Sequence, residues 1–141
     1  MLPSGIYILR CPRMLNMNCL VENIETGQLM LSSRWIATRF KLSYVENDTV
    51  DKQSDEFTLF STDAKKFVGW KGHTGIGSFA DEIGYTTAKF MVDDISSLDR
   101  AMTVRLANYH TGNPLLCAVD NLVCVDDNDH HGLRLSFEAT L

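Results

Sequence analysis

The chain predicts an all-β fold made of three four-stranded repeats with pseudo-threefold symmetry. Two features carry that expectation. Residues 101–141 break into four short apolar runs separated by turn chemistry. The last run alternates Leu133, Leu135 and Phe137 at period two, as a half-buried strand does. The best-marked positions also superpose along the chain. Tyr7, Phe57 and Val104 stand 50 and 47 residues apart, as do Phe40, Phe90 and Phe137, while Cys19, Phe67 and Leu115 stand 48 and 48 apart. Anchors that keep one period mark an internal repeat rather than the ordinary regularity of β proteins.

Taken in order, the first repeat covers about residues 5–51, with strands at Ile6–Cys11, Met17–Ile24, Gln28–Ser33 and Thr38–Tyr44. Glu25-Thr26-Gly27 supplies the turn between its middle strands. Residues 45–56 are polar and charged, but neither flank could complete a core alone, so they read as a long loop within one domain spanning 1–141. The second repeat, 55–99, has strands at Glu56–Ser61, Lys66–Lys71, Gly77–Asp81 and Ala88–Val92. The third, 101–141, has them at Met102–Leu106, Asn113–Val119, Leu122–Val125 and Leu133–Ala139. The inward face is expected to hold Tyr7, Leu9, Leu20, Leu31, Phe40, Leu42, Phe57, Leu59, Phe67, Phe79, Phe90, Val92, Val104, Leu106, Leu115, Val123, Leu135 and Phe137.

Three such units, each with an aromatic in its last strand, resemble a β-trefoil. Lys65-Lys66-Phe67-Val68-Gly69 ahead of Thr87-Ala88-Lys89-Phe90 resembles the Gly-Lys-Tyr-Leu-Gly … Phe pattern of fascin-like trefoil repeats. The opening Leu2-Pro3-Ser4-Gly5-Ile6-Tyr7-Ile8 is similar to the start of small single-trefoil lectins and protease inhibitors of mushrooms. The Gln-x-Trp signature of ricin-type trefoils is absent, since Trp35 follows Ser33-Arg34 and Trp70 follows Val68-Gly69. The resemblance implies a six-stranded barrel closed at its base by three hairpins. It also implies a binding module, either a carbohydrate-binding lectin or a protein-binding trefoil.

Composition narrows the partners. A hydrophobic fraction of 45% with 22% charged residues is that of a globular chain. The net charge of −5 and pI near 5.2 argue against a phosphate-backbone partner, which needs a basic stripe, so no nucleic acid is expected. Acidity also disfavours actin, itself an acidic partner. No apolar run is long enough to insert into a membrane. Met1–Gly5 shows neither a cationic nor an apolar leader region, so the expectation is a cytoplasmic protein or one released without a standard signal peptide.

The four cysteines form no CxxC or zinc spacing, and no metal or cofactor is expected. A two-residue turn at Asp120-Asn121 would set Cys117 directly opposite Cys124, at a separation of about 5.5 Å between Cα atoms that a disulfide spans. Reduced, buried thiols are the expected state.

Candidate binding groups fall in three places. Asp127, Asn128, Asp129, His130 and His131 bring carboxylate, amide and imidazole together, the donors and acceptors that bind vicinal sugar hydroxyls. Read as a calcium loop, the same run fails, because an EF-hand needs helical flanks and an apolar residue where Arg134 stands. Asp127, Asp129 and His131 are similar to the His/Asp-rich turn of small mollusc trefoil lectins. Trp70 with His73 is either an exposed sugar-stacking platform or, for Trp70, a core residue capping the barrel. Pro12-Arg13 is either a stiff protease-inhibiting loop or a solvated arginine on the barrel end.

Catalysis finds no motif: Gly-x-Ser-x-Gly and His-Glu-x-x-His are absent, and Asp93-Asp94 are neighbours on opposite faces of a strand. A non-enzymatic lectin is the leading expectation, with a glycan or glycoprotein as partner. The rival is a protein partner engaged through Arg13 or a fascin-like surface. The turns before the fourth strands differ, with Trp35 in the first repeat, Tyr85 in the second and Asp126–His131 in the third. One dominant site per chain is therefore expected, and agglutination would require a homodimer.

Overall fold

The computed structural model describes residues 2–33, 37–46, 55–72, 75–107, 112, 114–126 and 132–140, and among them the chain forms twelve β-strands. They are β1 (Gly5–Arg10), β2 (Cys19–Glu22), β3 (Leu29–Ser32), β4 (Arg39–Tyr44), β5 (Phe57–Ser61), β6 (Lys66–Lys71), β7 (Gly75–Ala80), β8 (Phe90–Ile95), β9 (Met102–Leu106), β10 (Leu115–Val119), β11 (Leu122–Asp126) and β12 (Ser136–Ala139). Each lies within or beside a strand expected from period-two alternation. Most ends differ by one to three residues, where alternation fades into turn residues.

Six strands close a ring. β1 pairs with β4, β4 with β5, β5 with β8, β8 with β9, and β12 with β1. Met102 and Leu135 exchange two backbone hydrogen bonds of 2.8 Å, which join β9 to the start of β12. Closure leaves the ring without a free edge. The other six strands form the hairpins β2–β3, β6–β7 and β10–β11, each joined to the ring by its first strand. The hairpins also meet one another, through Leu122–Met30, Cys124–Gly75 and Gln28–Gly77.

Register makes the threefold relation residue-specific. Leu20 faces Leu31, Val68 faces Ser78 and Leu116 faces Val125; one step along, Glu22 faces Leu29, Trp70 faces Ile76 and Ala118 faces Val123. Leu29, Ile76 and Val123 are therefore equivalent, and all three are buried. Their carbonyl oxygens converge on one amide: the two N–H groups of Gln28 Nε2 are shared among Leu29 O at 3.1 Å, Ile76 O at 2.9 Å and Val123 O at 2.9 Å. A single side chain thus ties the three hairpins at their centre.

The core is aromatic at mid-barrel. Phe57 lies 5.8 Å from Phe90 and 6.2 Å from Phe137, and Tyr7 meets Phe137 edge-on at 6.0 Å. Five expected core positions differ. Phe67 is half-buried on the outer face against Phe60, 4.9 Å between rings, while Val68 is fully buried. Val68 is equivalent in register to Leu20 and Leu116, so the inward phase belongs to the second residue of the pair, and a bulge between Phe67 and Val68 shifts the pairing there. The same phase makes Leu116, not Leu115, the buried residue, and Ser78, not Phe79. Val92 and Phe137 are partly buried, packed against the core from its margin.

Cys117 and Cys124 stand directly opposite, as the turn predicts, because Asp120 and Asn121 both adopt positive φ (50° and 64°), the signature of a tight type I′ hairpin. Their sulfurs are 3.2 Å apart and no disulfide joins them. Burial, reinforced by the neighbouring Cys19, pushes the Cys11 thiol up to about 12, so it stays protonated and unreactive at neutral pH.

Candidate functional site

Asp127, Asn128, Asp129, His130, His131 and His73 lie outside the described residues, as does Trp35. Trp70 is described, and it is core: 6% exposed, at the register position that Glu22 and Ala118 occupy in the other hairpins. It is therefore not a free stacking platform. Its ring instead holds Tyr85 edge-on at 6.0 Å, and Tyr85 is 77% exposed. The loop presenting Tyr85 is fixed by Thr87, whose Oγ1 donates to Glu82 O at 2.9 Å and accepts from Gly84 N at 3.0 Å.

Arg13 does not project freely either. Its Nε donates to Asp99 Oδ2 at 3.0 Å, and its Nη2 donates to Asp99 Oδ1 at 3.3 Å and to Ser96 Oγ at 3.0 Å. An inhibitory loop needs its specificity side chain unengaged, and this one is clasped to the loop after β8. The Arg13 hydrogen bond, with the Ala101 amide second, holds the Asp99 carboxyl down to about 2. Because the folded value lies below the unfolded one, the clasp contributes fully above about pH 4 and is lost as pH falls through about 2. An NMR titration of the Asp99 carboxyl should show its midpoint near 2; a midpoint near 4 would mean the clasp is open in solution.

Beside Trp70 the described residues outline an open cleft of about 910 Å³. One wall is the β2–β3 turn, residues 22–27; the other is formed by β6, β7 and the loop ahead of β8. Hairpin contact sets its width: an added Cβ at Gly77 would run into the carbonyl oxygen of Gly27. Ile24 is 94% exposed on the rim, and Phe79 carries the Lys71 ammonium 5.7 Å above its ring.

Two polar groups in this cleft break the threefold pattern. Ser78 is 3% exposed and stands where the other hairpins place buried Leu31 and Val125, yet its hydroxyl has no hydrogen-bond partner among the described residues. Glu22 stands where the others place Trp70 and Ala118. Its Oε1 accepts from the buried Ser61 hydroxyl at 2.7 Å, and its Oε2 is buried without a partner among the described residues. Leaving such groups unpaired costs about 1–3 kcal/mol each, so two on one cleft are a reserve of binding capacity. Nothing in the local sequence marks either residue, because their significance comes from register with the other hairpins.

No protein family model matches the chain, and no curated protein matches it. Among solved structures it is similar to a Polyporus squamosus lectin, determined bound to the human-type influenza-binding epitope Neu5Aca2-6Galb1-4GlcNAc. The TM-score is 0.72 at 15% identity, over 97% of this chain and 49% of that one. The fold is a β-trefoil. The chain spans about half the length of that lectin (49%). Within the trefoil, the cleft lies between the first and second hairpins. Paired-carboxylate chemistry has no geometric support at Asp93 and Asp94: Asp93 accepts from Arg105 and Thr103, whereas Asp94 accepts from Arg134 at 2.8 Å.

Proposed function

We propose that this trefoil is a non-enzymatic carbohydrate-binding module. The observation that carries the reading is a pair of oxygens without a partner among the described residues, Glu22 Oε2 and Ser78 Oγ, in one cleft with the apolar edges of Ile24, Phe79 and Trp70. A pyranose presents hydroxyl donors and acceptors beside an apolar C–H face, and such a cleft answers both. Both oxygens belong to residues that line the cleft, and the soft terminal torsion of Glu22 allows its carboxylate to turn toward a ligand. The likeness to a lectin fold supports the reading by analogy of architecture.

Ser78→Ala tests it, because a residue kept for binding should be a liability for stability. The variant should gain about 1 kcal/mol, raising the melting midpoint by about 3 °C, since it removes an unsatisfied hydroxyl. It should bind a glycan found on an array about tenfold more weakly by titration calorimetry. Unchanged affinity would remove Ser78 from the site, and silence of the wild type across a broad array would sink the function.

A further inference from the structure

The described lining of the cleft carries three carboxylates, Glu22, Glu25 and Asp63, against two ammonium groups, Lys66 and Lys71. Neither ammonium is placed to neutralise the floor. Lys66 is turned to Asp81, 3.5 Å away, and Lys71 lies over the Phe79 ring. At the floor, Glu22 keeps one oxygen on Ser61 and has no donor for the other among the described residues, while Ser78, 97% buried by its 3% exposure, adds a hydroxyl without a partner among them.

Resting on the glycan-binding reading, we infer that this cleft takes an uncharged terminal pyranose and rejects one bearing a carboxylate. An ionised carboxyl is acceptor-only, so Glu22 Oε2 requires a ligand donor; a sugar hydroxyl supplies one and a carboxylate cannot. A second anion beside Glu22 would also be repelled at short range in a partly desolvated site, where such repulsion is strongest. The net charge of −5 adds to the repulsion on approach. This preference is opposite to that expected of a site holding the sialylated epitope seen with the Polyporus lectin, so fold likeness does not carry ligand charge with it.

The experiment is a panel of matched glycans differing only in a terminal carboxylated sugar, Galb1-4GlcNAc against Neu5Aca2-6Galb1-4GlcNAc among them, measured on wild type, Glu22→Gln and Asp63→Asn. For each pair that binds, the acidic member should be at least about tenfold weaker in low salt. Glu22→Gln, which keeps an acceptor for Ser61, should narrow that gap to about threefold or less, and circular dichroism should show it folded. Asp63→Asn, whose carboxylate makes no hydrogen bond or ion pair among the described residues, should narrow it partly. Acidic glycans binding as well as their neutral partners, or a gap that survives in a folded Glu22→Gln, would overturn the charge selection while leaving glycan binding intact. No binding by either member of every pair would overturn both.

Discussion

Phe90→Ala should destabilise the domain by about 3–5 kcal/mol, the usual cost of emptying a buried phenylalanine site, and lower the melting midpoint by about 10–15 °C. Phe90 is 1% exposed, and its ring lies 5.8 Å from Phe57 in the middle of the barrel. Its strand pairs with β5 through Phe57 and with β9 through Leu106, so the ring fills the junction of a strand pair within the second repeat and the pair that joins the second repeat to the third. Partial collapse of the hole is hindered because Phe57 is itself held by Tyr44 at 6.1 Å and Phe137 at 6.2 Å. Urea unfolding of the variant should shift the midpoint with little change in slope. An unchanged midpoint would contradict the packing of the barrel interior.

Gln28→Leu should cost about 2–4 kcal/mol, a large effect for a half-buried polar residue. The amide of Gln28 is a hydrogen-bond donor to Leu29 O, Ile76 O and Val123 O, one carbonyl from each hairpin. Leucine matches the side chain in bulk but offers no donor, so three carbonyls of fully buried residues would lose their shared partner. The residues bridged are 48 and 95 positions apart from Gln28, so the loss should loosen contacts between repeats more than within them. Amide exchange should therefore accelerate at the hairpin contacts Leu31 N–Asn121 O and Ser78 N–Gly27 O before it accelerates within the barrel strands. Equal protection in variant and wild type would mean that water replaces the amide at no cost.

The strand inventory was legible in the sequence because period-two alternation and turn chemistry are local. Asp120-Asn121 shows how far this goes: two residues tolerant of positive φ specified the turn, the register and the opposition of Cys117 to Cys124. The choice of phase failed at Phe67: Val68 and Trp70 are the inward residues, in step with Leu20 of the first hairpin and Leu116 of the third. Two adjacent apolar residues leave the phase of a strand open, so large Phe67 looked the better core residue than small Val68.

By itself, then, the chain determined its repeat, its strands and its net acidity, since these depend on composition and on neighbours a few residues apart. Tertiary structure alone decided the rest. It committed Arg13 to Asp99 across 86 positions and brought Gln28 to the meeting point of three hairpins. It also set Glu22 and Ser78 into one cleft, at positions where the other hairpins are apolar. Each of these is a contact between segments distant in sequence, and whether a buried oxygen has found its partner depends on the closed barrel that brings those segments together.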